Sequence, residues 1–379
     1  MSHPLVIIGT GLAGYQLAKE IRKRDTELPM LLITSDSGDY YSKPELSTAL
    51  AKGKDVRSLV TAEASAMAGQ LKADILTHSL ALSVDAVHRT IQLNDKKISY
   101  DKLVLACGAD TICPALKGDA VDSVLSVNHL HHYATFHESI QDKKIVAILG
   151  AGLIGCEFAN DLSASGYEVH VVALAKTPLD LLLPPAIGHL LQAALEKQGV
   201  QLHFECAVEA VNKDHAGYRL SLSNGDSLFV DAVLSAIGLK PHLHLAKSAG
   251  LAINKGIIVN PYLETSDPCI YALGDCAEVE GRVLPYVAPI LHAARALAST
   301  LTGERVAVDY PPMPIVVKTP AFPLIVCPPL PHAKGEWVIE SVGDNTRALF
   351  YDDQKQLKGF VLTGVLVKER MMWVQQLVV

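Results

Sequence analysis

Two stretches constrain this chain more than any others, and they say nearly the same thing: "PLVIIGTGLAG" near the start and "KIVAILGAGLIG" at 144–155. Each is a short apolar strand running into G-x-G-x-x-G. In that pattern the first glycine permits a tight turn. The second lets the backbone approach a pyrophosphate, and the third lets helix and strand pack closely. The helix that follows offers unpaired N–H groups and a partial positive charge to the phosphates. One match alone can reflect packing of small residues. Two matches, each with a strand before and a helix after, predict two dinucleotide cradles: Gly9, Thr10, Gly11, Leu12, Ala13 and Gly14 in the first, Gly150, Gly152, Ile154 and Gly155 in the second.

The flanking sequence extends the duplication. Leu5 to Ile8, a helix from Leu12 to Arg24 and "MLLIT" at 30–34 form one β-α-β course; Ile145 to Leu149, a helix over 153–163 and "EVHVVAL" at 168–174 form the other. Further on, "IQLNDKKISYDKLVLACG" and "RLSLSNGDSLFVDAVLSAIG" both read as hairpins turning at Asn-Asp or Asn-Gly, and both close on a matching glycine, Gly108 and Gly238. The repeat unit is a whole domain. The fold class expected is therefore α/β, with two Rossmann-like, doubly wound dinucleotide-binding domains.

From about Pro311 the texture changes. "YPPMPIVVKTPAFPLIVCPPLP" is proline-rich and the rest is strand-like, which predicts a small C-terminal α+β domain, because proline confines strands to edges and bends. The expected boundaries are 1–113 and 240–308 for the first dinucleotide domain, 114–239 for the second and 309–379 for the C-terminal domain.

Composition narrows the partners. The net charge of −7 disfavours nucleic acid, which needs a basic excess. Few residues separate Met1 from the first strand, so no secretory leader is expected, and no apolar run approaches the roughly 18 residues of a membrane span. Seven scattered cysteines, without C-x-x-C or zinc spacing, suggest a reduced cytoplasmic setting. The pairs Cys107 with Cys113 and Cys269 with Cys276 read as buried packing residues. The run "NHLHHYATFH" places His129 and His132 at i, i+3 on a helix, but no suitably spaced carboxylate accompanies them, so no metal is expected.

The acid that ordinarily reads an adenosine ribose lies about 20 residues beyond the third glycine. Asp36, 22 residues after Gly14, fits. The second copy has Ala173-Leu174 at the corresponding strand end, with Lys176 just beyond and no acid until Asp180. Its choice between NADH and NADPH is therefore poorly specified. A third element, "TSDPCIYALGDCAEV" at 265–279, places the carboxylate of Asp275 at a strand end beside the cofactor crevice.

With "GTGLAG", "YSKPELS", "LVLACGAD", "GAGLIGCEFA", "AIGLKP", "IYALGD" and "VKTP", the chain resembles the flavoprotein reductases that bind two dinucleotides, of glutathione-reductase-like fold. Within them it is most similar to the rubredoxin reductases; flavorubredoxin reductases of nitric oxide detoxification carry the same motifs. The resemblance implies FAD in the first cradle and NADH in the second. It assigns Asp275 to the FAD ribityl chain, Ala81 (on the expected strand "HSLALSV") to adenine and Val287 to the flavin end. Lys43 and Glu157 would pair beside the flavin ring, and Lys318 would approach it from the C-terminal domain. Electrons would leave singly to an acidic rubredoxin, steered by a rim of Lys43, Lys318 and Lys334, in a chain serving alkane hydroxylation, oxygen reduction or nitric oxide detoxification.

The family's disulfide reductases keep C-x4-C, and its peroxidases one cysteine, where this chain has Ser42 and Leu46. That weakens a second reading, an NADH oxidase or peroxidase. A third, a redox-sensing flavoprotein without catalytic output, is weakened by the compact length.

Overall fold

A computed structural model describes residues 3–378 and divides into two compact units. The first comprises the chain up to Lys43, then Ser58–Asp110 and Leu239–Tyr310; the second comprises Pro44–Arg57, Thr111–Gly238 and the chain from Pro311 onward.

Unit one is built on a five-stranded parallel sheet in the order Ile270–Ala272, Lys102–Leu105, Leu5–Ile8, Met30–Ile33, Asp74–Leu76. All four residues of Leu5–Ile8 are buried, as a strand covered on both faces requires. The helix Leu12–Arg24 follows from Gly11 and lays Tyr15, Leu17, Ala18 and Ile21 against the core, where it packs on the helix Val287–Leu301.

Unit two repeats the plan. Its sheet runs Val124–Ser126, Ala232–Ser235, Ile145–Leu149, Glu168–Val172, Val200–His203, again all parallel, with the glycine-linked strand in the centre. The duplicated hairpins are present too, as three-stranded sheets: Ser83–Asp85, Thr90–Gln92 and Lys97–Ser99 in unit one, Val208–Asp214, Gly217–Leu222 and Ser227–Val230 in unit two. The expected doubling of the α/β fold is what the chain adopts.

Beyond Pro311 the second unit contains a five-stranded antiparallel sheet ordered Ile315–Val317, Leu324–Cys327, Leu357–Thr363, Asn345–Tyr351, Glu336–Val342. It has its own core, in which Ile325, Leu349, Phe360 and Leu362 meet Leu366 and Trp373 from the closing helical turns.

Three local expectations need correction. Ala81 is buried but lies in extended coil ahead of the strand Ser83–Asp85, not on a strand. His129 is the N-cap of the helix Leu130–Ser139 rather than part of it: its Nδ1 accepts the His132 N–H at 3.4 Å. The cysteines are not uniformly buried, since Cys113 is exposed and Cys107 and Cys269 are half-buried. Among the described residues no helix is long and apolar enough to cross a membrane, and no three His, Cys, Asp or Glu converge as a metal site.

Candidate functional site

Each cradle is shaped by which of its glycines has neighbours. In unit one a methyl group on Gly9 would strike the Ala106 carbonyl, and one on Gly14 would strike the Gly9 carbonyl. A methyl on Gly11 would meet nothing within 4 Å. The outer glycines are therefore demanded by the protein itself, and Gly9 also by its φ of +113°. The middle one faces open space at the mouth of the helix, as a pyrophosphate seat requires. Unit two matches: a methyl on Gly150 would lie 2.7 Å from the Ala236 carbonyl oxygen, one on Gly155 would strike the Gly150 carbonyl, and Gly152 is open. Both helices leave their first N–H groups without a side-chain cap.

The remaining predicted residues of unit one collect at the same carboxyl edge of the sheet. Asp36 follows the strand Met30–Ile33; its Oδ1 accepts Thr34 Oγ1 at 2.6 Å and the Gly38 N–H at 2.9 Å, which fixes an exposed carboxylate beside the cradle. Tyr15, from the cradle helix, donates to the Gly38 carbonyl and ties that loop down. Gly274 (φ +81°) sits so close to the cradle helix that a methyl there would lie 2.9 Å from Ala13 Cβ. That approach delivers Asp275 to the first cradle. Lys43 Nζ is 3.8 Å from Asp275 Oδ2. Burial pushes the Lys43 ammonium down and the Asp275 carboxyl up, and each partner opposes the other's shift. Val287 opens the helix Val287–Leu301 and is 40% exposed.

In unit two Gly238 (φ +125°) follows the strand Ala232–Ser235 and receives the Ile112 N–H on its carbonyl at 3.0 Å. Ile154 is exposed on the first turn of the helix Leu153–Ala164. One turn on, Glu157 is 1% exposed. Its Oε2 accepts Ser47 Oγ at 2.5 Å and pairs with Lys318 Nζ at 2.5 Å, while its Oε1 accepts the Lys318 N–H at 3.2 Å. Lys318 Nζ donates also to Ser47 Oγ at 2.9 Å and to the Pro44 carbonyl. Burying a carboxylate this deep carries a desolvation cost that such close hydrogen-bonded partners offset.

Within unit one the counter-charge of Lys43 is Asp275, and within unit two that of Glu157 is Lys318. Of the three lysines expected to steer an acidic partner, Lys43 and Lys318 each have a carboxylate partner and Lys334 is exposed.

Sequence reasoning missed Ser47, Asn160 and Asp161. Asn160 Oδ1 accepts the Ala321 N–H at 3.0 Å, and Asp161 accepts the Leu50 and Ala51 N–H groups at 3.0 and 3.1 Å. Burial raises the Asp161 carboxyl to about 6, against those two hydrogen bonds. A signal existed. Glu157, Asn160 and Asp161 stand at i, i+3 and i+4 in the otherwise apolar "LIGCEFANDL", one polar stripe on a helix that must be buried to follow its strand.

Burial pushes the Cys156 thiol up to about 12 and Cys276 to about 11, the opposite direction from the depressed values of reactive thiols.

Comparison with known proteins agrees with this architecture. Residues 3–298 match the family described as pyridine nucleotide-disulphide oxidoreductase, and residues 307–377 match the one described as rubredoxin binding C-terminal domain. A rubredoxin-NAD(+) reductase of Alcanivorax borkumensis is 48% identical over 97% of both chains. A nitric oxide reductase FlRd-NAD(+) reductase of Aliivibrio fischeri is 39% identical, also over 97% of each. The crystal structure of a ferredoxin reductase from Rhodopseudomonas palustris superposes with a TM-score of 0.90 at 28% identity, covering 100% of this chain and 96% of the other. With the doubled sheet, the two cleared cradles and relatives matched along nearly their whole length, this chain belongs to the pyridine nucleotide-disulphide oxidoreductase family.

Proposed function

We propose that this protein is an NADH-dependent rubredoxin reductase: it takes electrons from NADH and passes them through FAD, one at a time, to rubredoxin. The observation that carries the reading is the rubredoxin binding match at residues 307–377 on a chain that repeats the dinucleotide fold twice. The names borne by the relatives point the same way. A FlRd reductase is the second reading, favoured by the Aliivibrio fischeri relative at 39% identity against 48% for the rubredoxin reductase.

The first cradle fits FAD, since Gly11 is open while Gly9 and Gly14 cannot hold a side chain. When bound, FAD supplies the step from two-electron donor to one-electron acceptor. The chain's own groups do the placing. Gly9 to Gly14 seat the pyrophosphate on the helix N-terminus, Asp36 takes the adenosine ribose, and Asp275, set by Lys43, takes the ribityl hydroxyls; Ala81 and Val287 supply the adenine and flavin-end contacts. Gly150, Gly152, Ile154, Gly155 and Gly238 receive NADH. In the helix that begins at that seat, Glu157 is buried and held in place by Lys318 and Ser47, a positioned carboxyl group beside the nucleotide seat. Residues 309–379 serve as the partner domain, and the free thiols suit a reducing cytoplasm.

The test is anaerobic. NADH is added to the purified yellow protein, and rubredoxin, flavorubredoxin and dioxygen are compared as acceptors. Rubredoxin should be reduced fastest, at a rate that single Cys→Ala changes at Cys107, Cys113, Cys156, Cys269 and Cys276 leave within about twofold, because no thiol is on the path. Reduction of dioxygen faster than rubredoxin, or loss of rubredoxin reduction in one cysteine variant with NADH oxidation intact, would refute the assignment.

A further inference from the structure

The second cradle lacks the acid that ordinarily reads the ribose from the end of its own strand. Beyond Glu168–Val172 the chain continues Ala173-Leu174-Ala175-Lys176. The structure shows what lies alongside. The Ala173 N–H donates to the His203 carbonyl at 2.9 Å, the Cys206 N–H to the Ala173 carbonyl at 3.1 Å, and the Glu205 N–H to the Ala175 carbonyl at 3.0 Å. The strand end is thus sewn to residues 203–206, which leave the neighbouring strand Val200–His203 in the same direction. Glu205 is exposed there and holds φ +52°, a left-handed conformation that few residues other than glycine adopt.

We infer that Glu205 supplies, from the adjacent strand, the negative charge that makes the second cradle prefer NADH over NADPH. The inference rests on the reading of that cradle as the nicotinamide nucleotide site. A carboxylate accepts a hydrogen bond from a free 2′-hydroxyl and repels a 2′-phosphate. The charges around it are mixed: Lys176, exposed on the facing loop, attracts a phosphate, whereas Asp226 adds a negative charge felt by His203. Glu205 and Lys176 therefore pull selectivity in opposite directions across one strand end. Two unit charges on a phosphate about 6 Å from a carboxylate in water correspond to roughly tenfold in affinity.

The experiment measures Kd for NAD+ and NADP+ by calorimetry on the flavin-loaded protein. The oxidised nucleotides are used so that no electron transfer contributes to the heat. Wild type should favour NAD+. Glu205→Gln should lower the ratio Kd(NADP+)/Kd(NAD+) about tenfold at low salt, Glu205→Lys should lower it further, and Lys176→Gln should raise it. Equal flavin content and melting temperature across the variants show that the fold is kept. A ratio unchanged within twofold in both Glu205 variants overturns the role given to Glu205. A wild type that binds neither nucleotide overturns the nicotinamide reading of the cradle, and this inference with it.

Discussion

The two cradle helices begin alike and are buried differently. Leu12–Arg24 is covered by apolar side chains, with Tyr15, Leu17, Ala18 and Ile21 against the core. Its buried acid, Glu20, is answered from within the helix by Gln16 and Lys23, at 2.9 and 2.8 Å. Arg22, in its last turn, caps carbonyls of Asp25 and Leu28. Leu153–Ala164 instead carries a buried polar stripe whose partners come from elsewhere in the chain: Ser47 and Lys318 for Glu157, Ala321 for Asn160, Leu50 and Ala51 for Asp161. The glycine fingerprint specifies the turn and the phosphate seat, and both copies obey it. The body of the helix decides what else is fastened to that seat. In the second copy, two remote segments are fastened by hydrogen bonds that leave little tolerance for error.

The largest expected effect breaks the symmetry of the seats themselves. Gly11 and Gly152 face open space: a Cβ at either position meets no protein atom within 4 Å, so a valine there is expected to obstruct the ligand first. Gly11→Val should weaken FAD retention by about 100-fold or more, roughly 3 kcal/mol, giving a colourless protein. Gly152→Val should keep its flavin and raise KM for NADH by about 10- to 100-fold. Flavin content after gel filtration and NADH kinetics check both. Flavin loss in Gly152→Val would reverse the assignment of the two cradles.

Next in size is the contrast between the two buried glutamates. Glu157→Ala strands Lys318 and the Ser47 hydroxyl; with Lys318 31% exposed, the loss should fall near the low end for a broken buried pair, about 3 kcal/mol. Glu20→Ala removes only contacts within its own helix and should cost under about 1 kcal/mol. Melting temperatures at matched flavin content measure both. Equal losses would erase the distinction between an apolar and a polar helix attachment.

The smallest effect is a pH slope. Asp161 has its carboxyl raised to about 6, so the folded protein holds that proton more tightly than the unfolded chain, whose carboxyl titrates near 4. Its contribution is fully present at low pH and is lost as pH rises through about 6. Asp161→Asn lacks this slope. Between pH 5 and 7 the variant should gain about 1 kcal/mol relative to wild type, whatever its offset from the lost hydrogen bond. A stability difference that is flat over that interval would mean that Asp161 is solvated, and the helix attachment looser than its geometry shows.

By itself, the sequence determined the elements that depend on neighbours along the chain. The strands Leu5–Ile8 and Ile145–Leu149, the helices that leave Gly11 and Gly152, and the repeated hairpins all follow from apolar runs, glycine spacing and turn residues within about 30 positions. The doubling of the domain was legible for the same reason, as was the carboxylate of Asp36. The tertiary structure decided the pairings. Ser47 and Glu157 are 110 positions apart, and the Lys318 amide reaches Glu157 across 161. No periodicity encodes such partners, because which side chains meet is settled only when separate sheets and loops pack. Hence Lys43 meets Asp275 and Glu157 meets Lys318, and Glu205 is brought alongside the acid-free strand end after Val172 through the parallel pairing of Glu168–Val172 with Val200–His203. Local pattern fixes where a chain can bind a dinucleotide; long-range packing fixes which charges surround it.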